Sequence, residues 1–196
     1  MTDVAQLTVP VQRWIARQRQ RPAAPAPGPA GVRVRLRREQ ELAACARLLG
    51  LVQAESHYPA SRPTSLRGWL ADPALLGSWV AERNGEVLGH VAVGPVGSDA
   101  ASRMRWREVT GRPATELLGV SRLFVRARAR GQGLGALLLE TAVADVRSRG
   151  LVPVAELVSP SREGVRLYEK HGWRLVARHA WGGRGDGLTS YMYLLP

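Results

Sequence analysis

A predicted strand, a glycine-rich turn and a helix follow one another in residues 121–139, and this segment constrains the fold most. Alternate glycines occupy the turn: Gly131, Gly133 and Gly135. Glycines at a helix start let backbone N–H groups approach an anion without interference from Cβ atoms, and the helix dipole attracts negative charge. Four arginines surround the turn: Arg122, Arg126, Arg128 and Arg130. The segment therefore predicts a phosphate-binding site.

Two common phosphate sites fit this turn poorly. It lacks the Gly-Lys-Ser/Thr ending of a nucleotide P-loop. Gly131, Gly133 and Ala136 satisfy a dinucleotide fingerprint, but they lie far from a first strand. The expected acidic residue about 20 positions further on is also missing, since residues 149–152 stand there. A helix start that binds no ligand remains an alternative.

Hydrophobic periodicity elsewhere predicts an α/β fold with a mixed sheet. Alternation at Val32, Val34 and Leu36 indicates a strand, and Asn84-Gly85 between two apolar runs indicates a hairpin. The predicted strands are 32–36, 78–83, 86–93, 117–125, 151–158, 173–178 and 189–195, and the predicted helices are 42–52, 65–70, 133–149 and 161–171. Residues 96–115 are expected to form a long polar loop. Strand–helix alternation after an antiparallel start is typical of a mixed sheet flanked by helices.

The chain of 196 residues is predicted to hold one domain at 32–196 behind a basic, proline-rich tail at 1–31. Four prolines within residues 22–29 favour an extended linker. The alternative is an arm that docks on a membrane surface or nucleic acid. One cysteine, Cys45, excludes an internal disulfide framework, and no apolar run is long enough for a membrane span. With no leader segment at the start, a cytoplasmic location is expected.

Charge is the other unusual property. Lysine and arginine total 28 against 16 acidic residues, a net charge of +12, and Lys170 is the one basic residue that is not arginine. Such a surface attracts polyanions, whether nucleic acid, anionic lipid or a phosphorylated cofactor. A GC-rich genome would also favour arginine over lysine. Charge alone therefore does not choose the partner.

Two motifs in order resemble the GCN5-related N-acetyltransferase (GNAT) superfamily. Residues 128–133 match its Gln/Arg-x-x-Gly-x-Gly/Ala signature for acetyl-CoA, and residues 161–173 are similar to its Asn-x-x-Ala-x-x-Leu-Tyr-x-x-x-Gly-Phe segment. The resemblance covers residues 32–196. It implies a central mixed β-sheet flanked by helices, with a splayed strand at the acetyl-CoA site.

The resemblance also implies roles for individual residues. Tyr168 would protonate the departing thiolate. A main-chain N–H, that of Val125 or a neighbour, would stabilise the oxyanion. Ser161 stands where the family often has asparagine. The implied cofactor-binding residues are Leu123, Phe124 and Val125 beside the pantetheine arm, Arg130, Gly131, Gln132, Gly133, Leu134 and Gly135 around the pyrophosphate, and Ser161.

The general base stays open. Many relatives place a glutamate four residues before the position of Leu123, and here that position is Gly119. Glu116, Glu156 and His90 are the candidates, acting directly or through water, and an acceptor bound as a neutral amine needs no base. His57-Tyr58-Pro59 and the turn from Trp181 to Gly187 are expected to border the acceptor cleft, although a plain helix stop also explains the first. The histidines lack metal-ligand spacing, so no metal is expected.

The predicted function is direct acetyl transfer from acetyl-CoA to a primary amine of a small molecule or peptide. The alternatives are a module that binds acetyl-CoA without turnover and a basic module that binds nucleic acid through the tail and residues 103–112. The nucleic-acid module would explain the net charge but not the glycine-turn motif or the Tyr168 motif, so nucleic acid is disfavoured as a partner. A membrane partner is not expected either. A homodimer remains open.

Overall fold

The computed structural model describes residues 31–181 and 187–196. Within them, seven strands form one sheet with the order β1-β2-β3-β4-β5-β7-β6. The strands are β1 (Arg33–Leu36), β2 (Gly77–Arg83), β3 (Glu86–Gly94), β4 (Leu117–Val125), β5 (Val152–Val158), β6 (Arg174–Trp181) and β7 (Leu188–Leu194). Neighbouring strands are antiparallel except β4 and β5, which are parallel. The predicted mixed sheet is confirmed.

Helices cover both faces of this sheet. They are α1 (Leu42–Ser56), α2 (Leu66–Leu70), α3 (Ala100–Thr110), α4 (Leu134–Ser148) and α5 (Arg162–Lys170). Four of them were predicted, as was the β2–β3 hairpin, whose Asn84 and Gly85 adopt φ of 51° and 81° as a tight hairpin turn requires. The tail at 1–30 and the turn at 182–186 lie outside the described residues.

The predicted polar loop at 96–115 is wrong, because α3 occupies its centre. Asp99 caps the helix by accepting a hydrogen bond from the Ser102 N–H at 2.8 Å, and Gly111 ends it with a φ of 68°. Trp106 is the one residue of α3 that is fully buried. The arginines on the rest of the helix hide its periodicity, but Asp before the run and Gly after it are ordinary helix caps.

The two faces of the sheet have separate cores. Leu118 and Val120 of β4 point to the face covered by α4 and α5, where Leu138 and Tyr168 join the same cluster. Leu117 points to the other face, covered by α1, α2 and α3, because successive strand residues alternate. That second face has two smaller clusters, one under α1 and α2 and one under α3.

Strands β4 and β5 pair over a short distance only. The pairs are Leu117 with Val152, Leu118 with Pro153 and Gly119 with Val154. Beyond Gly119, β4 stays paired with β3 as far as Val125 and leaves β5. This divergence is the splayed strand that the family resemblance implies. It opens a gap that joins the two faces of the sheet.

No helix in residues 31–181 or 187–196 has the length and apolar character to span a membrane.

Candidate active site

The glycine turn forms an open cradle at the start of α4. Gly131 and Gly133 adopt φ of 74° and 81°, and a Cβ added at either would meet no atom within 4 Å. Gly133 is the N-cap and offers no side-chain cap to the helix. Because the first N–H groups of a helix have no intrahelical partner, those that begin α4 remain free to bind an anion.

Hydrogen bonds from its own backbone and from neighbouring side chains hold this turn in place. The Arg130 N–H donates to the Ala127 carbonyl at 3.0 Å, so it is engaged within the turn rather than free. The Gln132 amide accepts from Arg83 at 2.9 Å and donates to the Arg128 carbonyl at 3.3 Å. The cradle therefore begins at Gly131, one residue later than the resemblance implies.

Gly135 has a packing role, since an added Cβ would lie 3.3 Å from Leu167 of α5. The helix start next to it is anchored by Leu134, which is 1% exposed in the core. Glycine thus lets α4 and α5 approach closely beside the cradle.

The arginines around the turn do not act as one group. Glu86, from the β2–β3 hairpin, forms ion pairs with both Arg126 and Arg128. The sequence near the turn contains no acid, so this pairing could not be read from the local segment. Arg122 belongs to the opposite face of the sheet, where it pairs with Asp72.

Val125 presents its backbone to the gap between β4 and β5. The Arg126 N–H donates to the Leu88 carbonyl at 2.9 Å, which makes that pair a hydrogen-bonded one. Antiparallel pairs alternate, so the N–H and C=O of Val125, which is opposite Gly89, point away from β3. The C=O accepts from Arg130 Nε at 3.2 Å.

Leu123 and Phe124, the other two residues of β4 predicted to bind the cofactor, direct their side chains to opposite faces of the sheet. Leu123 is half-buried and packs against the core on the α4 and α5 face. The Phe124 ring is 4% exposed, belongs to the core under α1 and α2, and stacks on His90 with 5.3 Å between ring centroids. Phe124 is opposite His90, so by the same alternation its N–H and C=O face β3, and neither these groups nor its ring face the gap.

Tyr168 lies on α5, on the same face as the glycine cradle, and is 5% exposed. Its ring packs edge-on against Trp173, with centroids 5.0 Å apart, and lies 5.8 Å from the ring of Tyr193. Burial raises the pKa of Tyr168, so the hydroxyl stays protonated at neutral pH. Ser161 caps this helix, its hydroxyl oxygen accepting from the Gly164 N–H at 3.1 Å.

A cavity of about 220 Å³ lies on the opposite face, where β4 leaves β5. Gly119 and Glu156 both line it, together with Asp72, Leu75, Trp106 and Arg122. Glu156 follows Val154, the partner of Gly119, by two residues on β5, so it is on the same face. A carboxylate thus reaches the cavity from β5, although β4 has glycine where many relatives have glutamate.

Glu156 is held by one hydrogen bond and lies close to a histidine. Its Oε1 accepts from the Ser190 hydroxyl at 2.6 Å and lies 3.4 Å from His179 Nε2. That same nitrogen accepts from Arg105, 3.2 Å away. Burial and the nearby Arg105 lower the pKa of His179, so at neutral pH this imidazole is uncharged.

The other two candidate bases are badly placed. Glu116 is exposed and forms an ion pair with Arg112 at 3.2 Å, outside the cavity. His90 is fully buried, and its Nε2 accepts from Arg37 at 3.3 Å, so its Nδ1–H donates to the Arg122 carbonyl at 3.1 Å. Burial lowers the pKa of His90 to about 3. A neutral histidine with both nitrogens engaged is a poor proton acceptor.

Arg122 and Asp72 form a wall of the cavity that the sequence did not suggest. Arg122 adopts a φ of 54° at an irregularity in the β3–β4 pairing. Its guanidinium donates to Asp72 Oδ2 and to the Trp69 carbonyl, both at 2.8 Å, and lies over the Trp69 ring. These contacts tie the segment after α2 to β4.

Residues 57–59 at the end of α1, which were predicted to border the acceptor cleft, lie on this face as well. His57 is exposed and ends the helix with a φ of 56°. Tyr58 packs its ring 6.1 Å from Trp69 and 6.2 Å from Phe124. The segment therefore does stop a helix, and it also contributes an aromatic ring to the side of the sheet that holds the cavity.

Comparison with known proteins identifies the class. Residues 28–173 match the model of the acetyltransferase (GNAT) family. Because this match spans most of the chain, the protein belongs to that family. It is an N-acetyltransferase that uses acetyl-CoA. Among curated protein sequences, none matches this chain.

Solved structures share the fold. The ribosomal-protein-alanine N-acetyltransferase of Brucella melitensis is 20% identical, with a TM-score of 0.63 over 83% of this chain and 98% of its own. The yncA protein of Salmonella typhimurium, in a structure with its cofactor acetyl-CoA, is 20% identical, with a TM-score of 0.65 over 85% of this chain and 94% of its own. An N-acetyltransferase of Staphylococcus aureus Mu50 is 19% identical, with a TM-score of 0.62 over 84% and 97%.

The residues present fit acetyl-CoA. Two positive-φ glycines leave open space over the free N–H groups of α4, as a pyrophosphate requires. The gap beyond Gly119 offers the backbone of Val125 to an extended chain, which could add to it like a further strand.

Proposed function

We propose that this enzyme transfers the acetyl group directly to a primary amine of a small molecule or peptide, within the gap between β4 and β5. The observation that carries the proposal is the position of two groups around that gap. Tyr168 lies on the face with the glycine cradle, and Glu156 lines the cavity on the other face. One can donate a proton and the other can accept one.

In this proposal the glycine cradle binds the pyrophosphate of acetyl-CoA through N–H groups. The N–H groups of Gly131, Gln132, Gly133, Leu134 and Gly135 supply the hydrogen bonds, while Arg130 steadies the turn. Leu123 and Val125 provide backbone beside the pantetheine arm, and Phe124 between them supports the strand through its pairing with His90. Ser161 contributes through the start of α5, since its side chain is engaged as a helix cap.

Glu156 acts as the general base, directly or through a water molecule. At neutral pH a primary amine is mainly an ammonium ion, and it must lose a proton before its nitrogen can attack the thioester. The hydroxyl of Ser190 orients the carboxylate by donating to Oε1. The uncharged His179 leaves the negative charge of Glu156 available to the incoming cation.

Tyr168 acts as the general acid, and Val125 stabilises the transferring group. When bound, acetyl-CoA supplies the thioester that is transferred. The Val125 N–H, turned toward the gap, can donate to the acetyl oxygen as negative charge builds there. The raised pKa of Tyr168 keeps its hydroxyl protonated until the thiolate departs.

The remaining expectations stay proposals. We infer a catalytic domain at 32–196 behind a tail at 1–31, in an enzyme of the cytoplasm. Two of the three arginines of α3 are poorly placed for nucleic acid: Arg103 and Arg105 are half-buried, and Arg105 contacts His179, whereas Arg107 is exposed.

The test is a screen of full-length protein with acetyl-CoA against amines, polyamines, aminoglycosides and peptides, read by free CoA release. Glu156→Gln should lower kcat/KM by about 10²–10⁴-fold at pH 7. Glu116→Gln, which removes an exposed carboxylate outside the cavity, should change it little. Binding of acetyl-CoA without release of CoA for any acceptor would favour a sensor instead. Equal loss in both variants would remove Glu156 from the mechanism.

A further inference from the structure

The cavity beside Gly119 is small and largely apolar on one side. Its volume is about 220 Å³, below the roughly 300–1,000 Å³ of most sites for drug-sized ligands. Leu75, Val96 and Trp106 supply apolar surface. A space of this size suits one short carbon chain or a single ring.

The charged groups of the cavity favour a cation. Among the described residues that line it, Asp72 and Glu156 are anionic and Arg122 is cationic. Asp72 already pairs with Arg122 at 2.8 Å, and the Arg122 side chain is only 12% exposed. Of the described lysines and arginines, none lies within ion-pair distance of Glu156. Arg105 contacts His179 and does not line the cavity, so among the lining side chains Glu156 is the anion that no described lysine or arginine pairs.

An acceptor that carries a carboxylate would find no unengaged cationic side chain among the described residues that line the cavity. An amino acid would bring its own anion close to Glu156, and the guanidinium that could receive it is engaged by Asp72, by the Trp69 carbonyl and by Ser121. Placing like charges together without a partner is unfavourable, and this is how charged sites reject wrong ligands.

We propose that the acceptor is a small primary amine with an apolar carbon skeleton and no carboxylate. The ammonium group lies at Glu156 and the skeleton against Trp106 and its apolar neighbours. This inference rests on the proposed function, since it assigns the second substrate of that same site.

Matched pairs of acceptors test it on the full-length enzyme. Phenylethylamine is compared with phenylalanine, and pentane-1,5-diamine with lysine, each pair differing by one carboxylate. The amine of each pair should have a kcat/KM at least tenfold higher. Equal or better transfer to the amino acids would overturn the inference, as would a peptide acetylated as fast as phenylethylamine.

A variant that changes the charges of the wall sharpens the test. Asp72→Asn removes the partner of Arg122 and should free a guanidinium for a carboxylate. The preference for phenylethylamine over phenylalanine should then fall at least fivefold. Glu108→Gln, an exposed carboxylate on α3 outside the cavity, is the matched control and should leave the preference unchanged. An unchanged preference in Asp72→Asn would overturn the role given to Arg122.

Binding separates this inference from the proposed function. Calorimetry with phenylethylamine and phenylalanine, on the enzyme saturated with CoA, needs no turnover. Tighter binding of the amine with no acetyl transfer would support the cavity's preference while defeating the proposed reaction. Equal binding of the two, with transfer to some other acceptor, would overturn the inference and leave the reaction standing.

Discussion

The two faces of the sheet are built by different means. On the face with α4 and α5, the cradle offers backbone N–H groups and two positive-φ glycines, and its proposed ligand contacts come from consecutive residues. On the other face, the cavity is built by side chains that are far apart in the chain, such as Asp72, Trp106 and Glu156. The proposed cosubstrate face therefore depends on local backbone shape, whereas the proposed acceptor face depends on tertiary packing.

The largest effect should come from the Tyr168 hydroxyl on the face that holds the cradle. Tyr168→Phe removes the proposed acid but keeps the ring that packs on Trp173, so kcat should fall about 10²–10⁴-fold while acetyl-CoA affinity holds. Tyr193→Phe is the control, since its ring is in the same cluster and its hydroxyl is 3.5 Å from Glu169. Steady-state kinetics and calorimetry measure both. Unchanged turnover in Tyr168→Phe would make Tyr168 a core residue only.

The second-largest effect should come from a substitution confined to the glycine cradle. Gly133→Val puts a branched side chain where φ is 81°, straining the turn and filling the open space, so acetyl-CoA affinity should fall about tenfold to a hundredfold. Gly150→Val is a matched control at the other end of α4, with a φ of 72° and equally open space. Calorimetry should show normal affinity in the control. Similar losses in both variants would point to general destabilisation.

The proposed acceptor face holds a fully buried histidine, His90. Burial lowers the pKa of His90 to about 3, below its unfolded value near 6.5, so its stabilising contribution is complete above pH 6.5 and declines as pH falls toward 3. Between pH 7 and pH 5 this linkage should cost about 2 kcal/mol of unfolding free energy.

Urea denaturation of His90→Gln at both pH values checks this, because the variant should lose that pH dependence whatever its absolute stability. His57→Asn is the control: it replaces an exposed histidine at a φ of 56°, which asparagine tolerates. A His90→Gln variant that keeps the full slope would place the acid sensitivity elsewhere.

The smallest effect should come from the tail. Deleting residues 1–31 should change the melting temperature and acetyl-CoA affinity very little, because a proline-rich linker is expected to bury little surface. Differential scanning fluorimetry with and without acetyl-CoA measures both. A drop of several degrees would mean that the tail packs on the domain and contributes to one of the two faces.

Sequence reasoning succeeded where the chain is locally regular. Asn84-Gly85 fixed a hairpin, and the glycines before Leu134 marked the start of α4, because each signal lies within a few residues. The strands and four helices followed from hydrophobic periodicity. The Tyr168 motif was contiguous as well, so its helix and its place on the cradle's face could be anticipated.

The acceptor face was harder for a physical reason. Its cavity joins residues from five separate segments, and no local pattern signals that Asp72 will meet Arg122 or that Glu156 will share a cavity with Gly119. Helix α3 was taken for a loop because its arginines outnumber its one buried residue, Trp106. Asp99 and Gly111 were usable signals of its ends. The choice among the three candidate bases needed burial and partners, which a sequence does not give.

The three residue pairs that join β4 to β5 also bear on how the molecule opens. One antiparallel package, β1 to β4, and another, β5 to β7, share only the rungs at Leu117, Leu118 and Gly119. Two core clusters include residues from both packages: the one that contains α4, and the one under α3, where Leu117 of β4 joins Val154 and Met192. Amide exchange should therefore report two cooperative units, each protected by its own strand pairs and uncoupled when the packing under α3 and α4 loosens together. The gap proposed to receive the thioester would then also be the line along which the native state first divides.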